Sequence, residues 1–133
     1  MSCVLRYSVP DALAHTAREL LAPFRATAAG SGGRLTLHCD VSDADFDQFE
    51  RQLGDAGRYL AQHGPALSTL AAAGGAGELD FGVALYARQY LVSVRFPPSL
   101  AATAGQLGLS LVASVYAAAE GEGARDGAAT GAI

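Results

Sequence analysis

The stretch from Glu78 to Tyr116 constrains the fold of this chain more than any other, because strand periods and a helix period follow one another there with little room for loops. In Glu78 to Tyr86, Leu79, Phe81, Val83 and Leu85 alternate with Glu78, Asp80, Gly82, Ala84 and Tyr86. That period of two predicts a strand with one buried face. A second alternation, Tyr90, Val92, Val94 and Phe96 against Leu91, Ser93 and Arg95, predicts the return strand of a hairpin turning at Ala87 to Gln89. Pro97, Pro98 and Ser99 halt it and favour a helix's first turn. Leu100, Ala104 and Leu107 lie on one helical face, and Gly108 supplies the left-handed residue that ends such a helix. Leu109, Leu111, Ala113 and Val115 then alternate with Ser110, Val112, Ser114 and Tyr116 as a third strand.

Upstream, Arg34 to Val41 alternates just as cleanly, with Leu35, Leu37, Cys39 and Val41 opposite Arg34, Thr36, His38 and Asp40. Ser42 or Asp43 can cap a helix carrying Phe46, Phe49, Leu53, Ala56 and Leu60 as a core stripe, and acidic residues 43, 45 and 47 suit its N-terminus. Gly64 and Pro65 are expected to break it before a shorter helix with Leu67 and Leu70. Val4 to Val9 reads as a short strand, followed by an apolar helical stripe of Leu13, Ala17, Leu20, Leu21 and Phe24 that Pro23 is expected to end or bend near Leu21. Gly30 to Gly33 lacks the Lys-Ser or Lys-Thr of a phosphate-binding loop, so a flexible connector is the expectation.

The order from 34 to 116 is strand, helix, strand, strand, helix, strand. The expected fold is therefore α+β, a ferredoxin-like βαββαβ core over about 34–116 with an N-terminal βα extension over 1–29 that extends an edge or covers the other sheet face. At 133 residues, half of them hydrophobic, the chain suits one domain over 1–116, with 117–133 as a flexible tail, helical at its start if anywhere.

The formal charge of −4 argues against a general nucleic-acid binder. All nine basic residues are arginine, and alanine and glycine abound, which reads as the codon bias of a GC-rich bacterial genome. No apolar run is long enough for a membrane helix, and Met1 to Arg6 does not open a secretory signal, so a cytoplasmic location is expected. Cys3 and Cys39 are too few and too far apart for a disulfide framework or a metal cluster, and His15 and His63 lack metal spacing. No cofactor and no catalytic residue is implied.

The run through Leu100, Leu107, Gly108, Leu109, Leu111 and Tyr116, a short helix passing through Leu-Gly into a tyrosine-ended strand, resembles a family of small bacterial domains of unknown function. Some similar families look like immunity or interaction proteins of bacterial toxin systems. The resemblance implies protein contact and supplies no catalytic residue.

The remaining polar constellation is the second sheet face. His38, Asp40, Asp80, Tyr86, Ser93, Arg95, Ser114 and Tyr116 are its candidate interaction or ligand residues. In a ferredoxin-like sheet, His38 or Asp40 would meet Arg95 on a neighbouring strand. Cys39 faces the other way and cannot pair with His38 as a nucleophile. Three readings stay open: a non-enzymatic interaction domain that forms a homodimer or binds another protein through this face, a small-molecule-sensing regulatory domain, and an enzyme using His38 with Asp40.

Overall fold

In the computed structural model, which describes residues 2–118, five strands form one sheet: β1 (Cys3–Pro10), β2 (Ala26–Ala29), β3 (Arg34–Ser42), β4 (Ala76–Tyr86) and β5 (Leu109–Ala118). The helices are α1 (Ala14–Leu20, preceded by a 3-10 turn at Asp11–Leu13), α2 (Phe49–Ala72) and α3 (Pro98–Gln106). The spatial order is β2-β3-β1-β4-β5, antiparallel except for the parallel pair β4-β5.

This is an α+β protein, but its strand order is not that of the ferredoxin-like core. Two features cause the difference. The segment Tyr90 to Phe96 has no strand partner, because both edges of β4 are taken, one by β1 and the other by β5. Its alternation survives only as an extended run in which Val92, Val94 and Phe96 are half-buried. Phe96 packs on Phe49 and Phe81, with ring centroids 5.9 and 5.2 Å away. The N-terminal strand, for its part, neither extends an edge nor covers a face; β1 is the central strand of the sheet.

The core side is built by alternation. Cys3, Leu5, Tyr7 and Val9 of β1 are all fully buried, as are Leu37 and Cys39 of β3 and Leu79 and Phe81 of β4. Leu53, Ala56, Leu60, Leu67 and Leu70 of α2 join the same cluster, with Ala17 and Leu21 from the α1 region and Leu100 and Ala104 from α3. The helices therefore share one face of the sheet. Pro65 does not break α2, which runs through it. A missing N–H and a ring clash in a helix interior cost about 3 kcal/mol, while each buried leucine contributes about 1.5–3 kcal/mol. Leu67 and Leu70 continue the stripe of Leu53 and Leu60, so packing outweighs the interruption.

The glycines at 30–33 are not a linker but the loop of a β2-β3 hairpin, closed by the Gly30 N–H donating to the Arg34 carbonyl at 2.8 Å. Gly32 and Gly33 take φ values of 68° and 74°, which is why glycine stands there. Gly108 likewise adopts φ 72° between α3 and β5. Ala117 and Ala118, placed in the tail by periodicity, instead continue β5 as a strand, pairing with Leu85 and Tyr86; the rest of the expected tail, 119–133, lies outside the described residues.

Candidate functional site: the helix-free sheet face

The face opposite the helices, helix-free among the described residues, collects the even-numbered residues of β1, β3, β4 and β5. Register lines them up in rows: Ala26, His38, Arg6, Glu78 and Ser110 in one, and Asp40, Val4, Asp80 and Val112 in the next.

Arg6 is the centre of the face, and periodicity alone did not single it out. Lying between His38 and Glu78, its guanidinium donates to Glu78 Oε2 at 3.0 Å and reaches diagonally to Asp80 Oδ2 at 2.6 Å. The other Asp80 oxygen accepts from the Ser114 hydroxyl at 2.6 Å. Asp80 is only 8 % exposed, so these partners replace the water it has lost. The hydrogen bond it donates to Asp80 holds the Arg6 guanidinium above its ordinary pKa, against the lowering effect of burial. The cluster sets one guanidinium between two carboxylates, Glu78 and Asp80.

Beside it stands an aromatic pair. Phe46 and Tyr116 stack with ring centroids 5.1 Å apart, and they are 38 % and 48 % exposed. Phe46 is not part of the helical core stripe, since α2 starts at Phe49 and the preceding loop carries Phe46 round to the helix-free side. Gly82 makes this approach feasible: a Cβ there would sit 2.9 Å from the Phe46 ring. Gln52, fully buried on α2, anchors the loop by donating to the carbonyls of Gly82 at 2.8 Å and Asp45 at 3.3 Å. Between the cluster and the aromatic pair lies a dent of about 50 Å³, floored by Val4 and Gly82.

The candidate residues separate accordingly. Asp80, Ser114 and Tyr116 come together around Arg6 and Phe46, and His38 lies beside Arg6. Asp40 shares the row of Asp80 but lies across Val4 of β1 from it, and is held by Arg25, whose Nε donates to Oδ1 at 2.9 Å. The expected contact of His38 or Asp40 with Arg95 does not exist, because Arg95 and Ser93 lie on the exposed side of the extended segment outside the sheet. Tyr86 ends β4, and its backbone N–H is capped by the Gln89 side chain at 2.8 Å. Arg6 belongs to an alternation that marks it as non-core, but only the pairing of β1 with both β3 and β4 shows which residues it joins.

Elsewhere, Cys3 and Cys39 are free and buried on the helix side. Burial is the main cause of the rise in the Cys3 thiol pKa to about 12, with the negative charge of Asp80 adding to it. His15 lies 3.6 Å from Glu19, and His63 stacks on Tyr59 at 4.1 Å. Among the described residues no three His, Cys, Asp or Glu side chains are placed to hold a metal ion, and no helix is long and apolar enough to cross a membrane. Against protein-family models, curated proteins and solved structures alike, the chain finds no match, so the site stands on its geometry alone.

Proposed function

We propose that the chain is a non-enzymatic protein-interaction domain whose helix-free sheet face docks against a protein surface, that of a partner or of a second copy. The observation carrying this reading is the exposed Phe46–Tyr116 stack set beside the satisfied Arg6–Asp80–Ser114 cluster. Stiff aromatic rings next to an arginine held in place are the composition of protein contact centres, since they bury much apolar area and lose little rotamer freedom. The dent on this face, about 50 Å³, is far below the several hundred cubic ångströms that enclose a small ligand. An immunity-like role in a bacterial system is one setting for such a domain.

The test compares tagged wild type with Phe46→Ser and Tyr116→Asp in quantitative capture from the native host, with Gln62→Glu on the exposed side of α2 as control. The expected result is a protein, or a second copy, held by wild type and control and lost from both aromatic variants. Identical capture by all four would overturn the reading.

A second reading, small-molecule sensing, draws on a different feature. Between α2 and α3 a groove of about 270 Å³ is lined by Leu53, Leu60 and Leu100, with Ser99 and Thr103 supplying hydroxyls. Saturable thermal stabilisation by one metabolite class, abolished by Gly57→Leu at the groove wall, would favour it over face docking.

A further inference from the structure

The two edges of the sheet are built differently. At one end β2 is four residues long, and the arginine just before it, Arg25, is turned onto Asp40. At the other end β5 is ten residues long, and its register with β4 runs from Gly77–Leu109 to Tyr86–Ala118 without a bulge. Leu109 to Ala118 contains no charged residue and no proline. Short length, charge, proline and bulges are the means by which exposed edges avoid pairing. β5 uses none of them, and among the described residues no strand pairs with its outer edge.

The phase of the ladder determines what that edge offers. The Gly77 N–H donates to the Gly108 carbonyl at 3.5 Å, so in a parallel pair the even-numbered residues of β5 turn their backbone groups toward β4. The N–H and C=O groups of Leu109, Leu111, Ala113, Val115 and Ala117 therefore point outward. An outward row of paired donors and acceptors is complementary to another β-strand.

We infer that β5 pairs antiparallel with β5 of a second copy about a two-fold axis at Ala113, joining the two sheets edge to edge. The strand is self-complementary in that register. Leu111 comes opposite Val115 of the second copy, Leu109 opposite Ala117, and the small Ala113 opposite itself at the axis, where bulk would be least tolerated. Every outward backbone group from 109 to 117 then finds a mate. Val115, which is 47 % exposed in the single chain, gains an apolar neighbour on the helix side. Because odd residues pair with odd, the helices of both copies stay on one side and the helix-free faces join into one surface. The inference rests on the edge and not on the face proposed above, so each can fail alone.

The experiment measures solution mass by light scattering over a wide concentration range, with backbone amide exchange at high and low concentration. Wild type is expected at twice the monomer mass at high concentration. Amides of Leu111, Ala113 and Val115 should lose protection on dilution, while those of Ser110, Val112 and Ser114, bonded to β4, stay protected. Ala113→Pro removes an outward N–H and leaves the β4 ladder untouched, so a folded monomer is expected. Val115→Lys, at an exposed position, should likewise give a monomer and covers the case in which the proline variant does not fold. Phe46→Ser should leave the dimer intact. A wild-type monomer at every concentration would overturn the inference. So would a dimer that survives Val115→Lys but dissociates in Phe46→Ser, which would assign self-association to the face.

Discussion

The two faces of this sheet are made by the same strands and differ in what satisfies them. On the helix side, Leu5, Tyr7, Leu79 and Phe81 are buried completely, and stability there is apolar area removed from water. On the helix-free side, burial is partial, and what order there is comes from charge and stacking: Arg6 with Asp80 and Glu78, Phe46 with Tyr116. One face holds the fold together. The other is ordered by a few specific pairs, and it is this ordered, partly exposed surface that the proposed docking would use.

The sharpest way to break the comparison is truncation on each face. Phe81→Ala, which removes a fully buried ring packed against Phe49 and Phe96, should cost about 3–5 kcal/mol in urea unfolding. Val112→Ala, at a half-buried position on the other face, should cost less than about 1 kcal/mol. Equal losses would mean that the helix-free face is covered.

A finer contrast lies within the Arg6 cluster. Asp80→Asn should destabilise by about 2 kcal/mol, because a charge-assisted bond at a nearly buried site is lost and Arg6 loses its better partner. Glu78→Gln should change stability by about 0.5 kcal/mol or less, since both Arg6 and Glu78 have more than a third of their side chains exposed. Chemical denaturation of the two variants would reveal a single cooperative network instead if the costs proved equal.

The smallest effect is a pH dependence that belongs to the helix side. The Cys3 thiol, raised by burial from its ordinary 9.0 to about 12, keeps its proton in the folded state where the unfolded chain releases it. Its contribution to stability is complete below pH 9.0 and declines as pH rises toward 12. Burial shifts Cys39 and Tyr59 in the same direction, so the Cys3 share appears as a difference: Cys3→Ala should show a shallower alkaline decline than wild type. Parallel curves would mean that the Cys3 site admits water.

Much of this architecture is legible in the sequence. The alternation of β3 and β4, the stripe of α2 from Phe49 to Leu60, and the passage from Pro98 through Gly108 into β5 all stand where periodicity and turn chemistry put them. Alternation alone puts Asp80, Ser114 and Tyr116 on the polar face, where Ser114 bonds Asp80 and Tyr116 stacks on Phe46. What misled was each place where two outcomes share one local pattern. Tyr90 to Phe96 alternates like a strand, yet both edges of β4, the strand it would fold back on, are taken by β1 and β5, and Pro65 looks like a helix end yet sits within a stripe whose leucines carry α2 onward. Arg6 was visible as a polar residue in a strand, but its importance comes from partners 72 and 74 residues away.

By itself the sequence determined which side chains alternate in and out on β3, β4 and β5 and which stripe α2 and α3 bury, because alternation and helical period are set by neighbours along the chain. Only the tertiary structure decided that β1 takes the centre of the sheet, and with it that Arg6 meets Asp80 and that β5 is left as an edge. Pairing is a competition among distant strands for the same backbone groups, and no local pattern records which of them wins.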